Sequence, residues 1–100
     1  MKLRHVVLFG FVAGTDVGEV ARRFGALKTS VPRVEAFEWG EDCSPEGLAD
    51  GRTHAFVLTF DTAAARDAYL IHPEHQAFVD WVKPSLAAAT VIDYWAAPSF

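Results

Sequence analysis

Apolar residues occupy both parities of Val6-Val7-Leu8-Phe9, so residues 3 to 11 predict a strand buried on two faces. Asp16 with Glu19 forms a capping box, after which Val17, Val20, Ala21, Phe24 and Leu27 recur at helical spacing until Ser30-Val31-Pro32. A second strand is predicted over about 34 to 40, with Phe37 and Trp39 sharing a face. Pro45, Gly47 and Gly51 punctuate a loop from Glu41 to Arg52. His54-Ala55-Phe56-Val57-Leu58-Thr59-Phe60 is again apolar on both faces and predicts a third strand. Asp61-Thr62 caps a short helix to about Leu70, with Ala65, Ala68 and Tyr69 as its inward stripe. The next helix begins at Pro73, carries His75, Phe78, Val79 and Val82 on one face, and ends at Pro84. A last strand is predicted from about Ala89 to Trp95.

This order, βαββαβ with the second helix in two pieces, predicts an α+β, ferredoxin-like domain over residues 1 to 100. The expected architecture is a four-stranded antiparallel sheet with helices on one face. Right-handed crossovers are expected to set the first and third strands side by side at its centre, this one pair running parallel. The helices leave the other face bare, yet strands one and three are apolar on that face too. A second copy packed sheet to sheet, as a two-fold homodimer, would cover it.

Composition narrows the field of partners. Thirteen acidic against nine basic residues give a formal charge of -4, with no Lys/Arg tract, which argues against nucleic acid or an anionic membrane. Hydrophobic residues make up 51% of the chain, more than a short monomer usually buries. One cysteine, Cys43, sits in a polar turn-rich segment without a redox spacing and reads as a bystander. An unpaired thiol, no leader and no apolar run of spanning length predict a cytoplasmic protein.

The densest chemistry lies in Tyr69-Leu70-Ile71-His72-Pro73-Glu74-His75. Pro73 suits the first helical position, which makes His72 the N-cap and His75 the third residue of the helix. There the positive end of the helix dipole favours neutral imidazole, the form that accepts a proton. Asp93, inside an apolar strand, must be paired, and His75 is its expected partner. Such a pair supports either proton abstraction beside a carbonyl, with Tyr69 donating to the developing oxyanion, or a tie between strand and helix. His5 and His54 open the first and third strands, and parallel neighbours would bring them to one end of the sheet. Each alone is equally a core histidine satisfied by the backbone. The spacing of His72, Glu74 and His75 is a poor match to zinc patterns, because a capping His72 points away from His75; no metal is expected.

Four segments carry a resemblance across nearly the whole chain: Arg4-His5-Val6-Val7-Leu8-Phe9, Thr53 to Phe60, Tyr69-Leu70-Ile71-His72-Pro73-Glu74-His75-Gln76-Ala77-Phe78, and Val91-Ile92-Asp93-Tyr94. Together they resemble the stress-responsive A/B barrel domain family, often called Dabb. The resemblance implies a dimeric α+β barrel and, from the family's polyketide-cyclising members, a lyase or cyclase without cofactor acting on a polyketide-like or other small carbonyl compound. It further implies His75 as general base, Asp93 as its orienting partner and Tyr69 as the carbonyl contact. His5 and His54 are implied as pocket-lining residues, and Trp39 and Phe24 are further candidate substrate contacts. A tyrosine that such cyclases place on the first helix has no counterpart from Phe24 to Lys28. The alternative is a small-ligand-binding or stress-associated dimer without catalysis.

Overall fold

The computed structural model describes residues 1–98. Strand β1 (Leu3–Phe11) leads to helix α1 (Val17–Ser30), strands β2 (Ala36–Glu41) and β3 (His54–Phe60), helices α2 (Ala63–Leu70) and α3 (Pro73–Val82), a 3-10 turn (Lys83–Ser85) and strand β4 (Leu86–Trp95). The caps lie where the sequence placed them. Asp16 accepts from the Glu19 amide, Thr62 from the Ala65 amide, and His72 from the Glu74 amide. Each satisfies a donor that the first helical turn leaves unpaired. β4 begins three residues before its predicted start, because Pro84 ends the helical run and the chain turns directly into the sheet.

The sheet order is β2-β3-β1-β4, and every neighbouring pair is antiparallel. The antiparallel ferredoxin-like architecture and the central place of β1 and β3 stand; the expected parallel direction of that pair does not. The reason is connectivity. The α1 crossover returns β2 in the direction of β1, and the 42 to 53 loop then reverses the chain, so β3 must oppose β1. Right-handed crossovers therefore join strands that are not neighbours.

Strand alternation sorts the sheet into two faces. On the helix side, Leu3, Val7, Phe9, Phe56, Leu58 and Phe60 are buried with Val20, Phe24, Leu27, Phe78 and Val82 from α1 and α3. Phe24 is the hub, with ring centroids 5.0 Å from Phe56 and 4.6 Å from Phe78. Ala68, expected on the inward stripe of α2, is exposed; Ala65 and Tyr69 are the buried residues that seat that helix, with Ala63 and Leu70 partly buried beside them. The opposite face carries Val6 across from both Val57 and Ile92, and Leu8 across from Ala55 and Thr90. Ile92 and Tyr94 lie open on that face.

The loop from residue 42 to 53 closes against β1 at Gly10. A methyl group there would overlap the carbonyl oxygen of Gly51, a backbone atom that cannot step aside without moving the loop. Gly10→Ala should therefore lower stability by about 1–3 kcal/mol, the usual cost of forced overpacking. Urea unfolding followed by tryptophan fluorescence would measure it.

Candidate active site

Alternation along β1 points His5 toward the helices, where it is buried, and the β1–β4 register sets Asp93 opposite it. Nδ1 of His5 donates to Oδ1 of Asp93 at 2.7 Å, while Oδ2 of Asp93 accepts from Nη1 of Arg66 at 2.8 Å. Asp93 is thus paired, as a carboxylate in an apolar strand must be, but with His5 and Arg66 and not with His75. Register decides this: β4 delivers Asp93 directly onto its β1 neighbour, within reach of α2. Arg66 was not foreseen. The signal available was its position one turn before Tyr69, on the same side of α2.

His75 is held differently. Its Nδ1 lies 3.0 Å from the carbonyl oxygen of Leu70, which can only accept, so this nitrogen carries the proton and neutral His75 keeps its lone pair on Nε2. Burial lowers its pKa from the ordinary 6.5, against the Leu70 hydrogen bond, and the nearby His5 adds to the lowering. The backbone carbonyl takes over the orienting role expected of Asp93.

Tyr69 is wedged between the two imidazoles, its ring centroid 4.4 Å from that of His75 and 5.9 Å from that of His5. Its side chain is fully buried, and its hydroxyl has no hydrogen-bond partner among the described residues. Burial accordingly pushes the phenol pKa up. An orphaned buried hydroxyl costs stability. Tyr69→Phe is therefore expected to raise stability by about 1 kcal/mol in the ligand-free protein, measured as a shift in melting temperature.

His5, His75 and Asp93 form one end of a cavity of about 430 Å³ between sheet and helices, whose apolar walls include Phe9, Phe24, Phe78 and Leu86. Phe24 therefore stands where a substrate contact was expected. Tyr69 lies behind this wall and is not part of the lining. His54 and Trp39 are not brought to the cavity. His54 pairs with Phe9, four residues along β1 from His5, which is about 13 Å at strand rise. It bonds Thr53, packs against Phe11 and Trp39, and lines a separate hollow with the 42 to 53 loop. Trp39, on the far edge strand β2, stacks on Phe56 with an interplanar angle of 10°. Both displacements follow from the antiparallel β1–β3 pairing and the sheet order.

His72 acts as a cap, its Nδ1 accepting from the Glu74 amide at 3.1 Å. Among the described residues, no three His, Cys, Asp or Glu side chains gather in a group able to hold a metal ion. Cys43 is free and exposed. No helix among the described residues is long and apolar enough to cross a membrane.

The profile of the stress-responsive A/B barrel domain matches residues 3–96, almost the entire chain. The chain belongs to the stress-responsive A/B barrel family. Within this Dabb family it is 35% identical over 95 residues to the stress-response A/B barrel domain-containing protein HS1 of Arabidopsis thaliana, covering 92% of this chain and 87% of that one. Olivetolic acid cyclase of Cannabis sativa is 24% identical over 97 residues, covering 94% and 96%. Among solved structures, the hydroxynitrile lyase of Passiflora edulis superposes with a TM-score of 0.89 at 25% identity, covering 99% of this chain and 96% of the lyase. A dimeric ferredoxin-like protein of unknown function from Thermobifida fusca YX superposes with a TM-score of 0.74 at 28% identity, covering 94% and 90%. The ferredoxin-like architecture of this Dabb protein is thus shared with proteins described as dimeric.

Proposed function

We propose that this Dabb protein is a cofactor-independent lyase or cyclase that takes a proton from a carbon beside a carbonyl group in a polyketide-like or other small carbonyl compound. The observation that carries this reading is His75: its Nδ1–H is committed to the Leu70 carbonyl, leaving Nε2 as the basic atom, and its side chain borders the cavity. A neutral imidazole held in one tautomer is the form a general base requires at neutral pH. Two proteins similar to this chain bear the names of a cyclase and of a lyase, olivetolic acid cyclase and a hydroxynitrile lyase.

The remaining residues take supporting roles. Asp93, itself fixed by Arg66, holds His5 by its Nδ1, so that its Nε2 is the nitrogen left to meet a ligand or a transferring proton. The unpartnered Tyr69 hydroxyl, close behind the two histidines, is the donor that a substrate oxygen would satisfy after a small shift of the wall. Phe24 and its neighbours exclude water and seat the apolar body of the substrate. The second copy expected in solution packs on the open sheet face, over Val6, Leu8, Val57, Ile92 and Tyr94.

One observation favours the alternative of a non-catalytic ligand-binding dimer: among the described residues the only carboxylate on the cavity wall, Asp93, is already engaged by His5 and Arg66, so none of them supplies an acidic group to His75. A substrate-neutral assay separates the two. Octane-2,4-dione in D2O, followed by proton NMR, should incorporate deuterium between its carbonyl groups faster with the protein than in matched buffer. A rate equal to that of buffer would remove the catalytic reading and leave the binding one.

A further inference from the structure

The two ends of the cavity differ in chemistry. At one end stand His5, His75 and the Asp93 carboxylate; along the wall lie Phe9, Phe24, Phe78 and Leu86; and Lys83 joins the same lining where α3 passes into the 3-10 turn. From His75 to Lys83 the chain advances eight residues, about 12 Å at helical rise. Among the described residues, Lys83 is the one Lys or Arg side chain on the lining. It is also unusual among the nine basic residues of the chain. Lys2, Arg22, Arg23, Arg52 and Arg66 are ion-paired, and Arg4 and Arg33 are hydrogen-bonded to threonines. Among the described residues only Lys28 and Lys83 have no such partner, and Lys28 lies away from the cavity.

We propose that Lys83 is a specificity-determining residue and that the cavity takes a medium-length amphipathic monocarboxylate, whose carboxylate pairs with Lys83 while its apolar body lies over Phe9, Phe24 and Phe78. The opposite end of such a ligand then reaches His5 and His75. On the proposed function, from which the use of this cavity is taken, that end bears the reacting carbonyl, and the substrate class is a keto acid with its two polar groups separated by an apolar spacer. A single ammonium matches one negative charge; the second charge of a phosphate monoester would face an apolar wall with no counterion. In the reverse orientation the carboxylate would meet no unpaired Lys or Arg among the described residues, because Arg66 at that end is committed to Asp93.

Lys83 also stands at the C-cap of α3, where a cation complements the helix dipole. That role would make its removal costly to stability without making any ligand preference depend on it. The experiment therefore reads preference. Isothermal titration of the full chain with octanoate and with octan-1-ol should show octanoate bound about tenfold more tightly, the scale of one charge-assisted hydrogen bond. Lys83→Met should abolish that ratio by weakening octanoate alone, Lys83→Arg should restore it, and His75→Asn should leave the ratio intact. Equal affinities for acid and alcohol in the parent protein would overturn the Lys83 assignment while leaving the cavity reading in place. A ratio lost in His75→Asn but kept in Lys83→Met would overturn it too, by placing the carboxylate at the other end. Failure of both probes to bind would remove the cavity as a ligand site and the assignment with it.

Discussion

Replacing His75 with alanine should cut protein-dependent deuterium incorporation into octane-2,4-dione by about 10²–10⁴-fold, the usual contribution of a positioned general base. His75→Asn is the companion variant: its amide can still donate to the Leu70 carbonyl, so the α2–α3 junction stays fastened while the basic nitrogen is gone. Equal losses in both variants identify proton transfer as the function lost. Full activity in His75→Asn would show that the side chain is structural.

The pH profile tests the same assignment from another side. Burial and the nearby His5 hold the pKa of His75 below the ordinary 6.5. The base is then neutral at pH 7 and remains so to lower pH than a solvent-exposed imidazole. The exchange rate should stay level as pH falls from 8 through about 6.5 and decline, about tenfold per pH unit, only below the lowered pKa of His75. The acid limb should vanish in His75→Asn. Stability moves in the same sense. With the folded-state pKa depressed, the unfolded chain binds more protons from about pH 6.5 down to the folded value, so the contribution of His75 to stability falls as pH drops through that window.

How much of this was legible beforehand follows from the range of each interaction. Caps and helix starts are local, and Asp16, Thr62 and His72 act where short-range chemistry places them. The inward position of His75 followed from its three- and four-residue spacing to Phe78 and Val79. Pairings between distant strands are set by connectivity and register, which single-strand patterns do not carry. For that reason Asp93 meets His5 where His75 is the partner its own segment suggests, and the β1–β3 register separates His54 from the end of the sheet where His5 lies. The Leu70 carbonyl that fixes the His75 tautomer is a backbone group, which side-chain identities do not reveal. Nothing in the segment around Arg66 calls for a charge; its role appears only once β4 delivers Asp93.

If the proposed sheet-to-sheet homodimer forms, Val6→Glu should leave a monomer at micromolar concentration where the parent protein is a dimer, and light scattering with sedimentation would record it. Val6 lies on the face away from the helices, half-buried, at the middle of a cross-strand row with Val57 and Ile92. Leu8 and Ala55 extend the apolar surface to one side, and Tyr94 closes it on the other, across from Arg4. A stable dimer needs roughly 800 Å² from each partner, and a four-stranded face is of that scale. Two-fold packing sets the same patch against itself, so one substitution introduces two carboxylates into a desolvated interface, where each lacks a partner. The expected loss is several kcal/mol, or at least about 10³-fold in the dissociation constant. The monomer should keep its circular dichroism, because the helix-side core of Phe24, Phe56 and Phe78 is untouched. It should also keep His75 seated on Leu70, since neither residue belongs to the outer face. A Val6→Glu protein that remains dimeric with an unchanged dissociation constant would move the contact to the sheet edges, where β4 carries the exposed Val91 and Trp95.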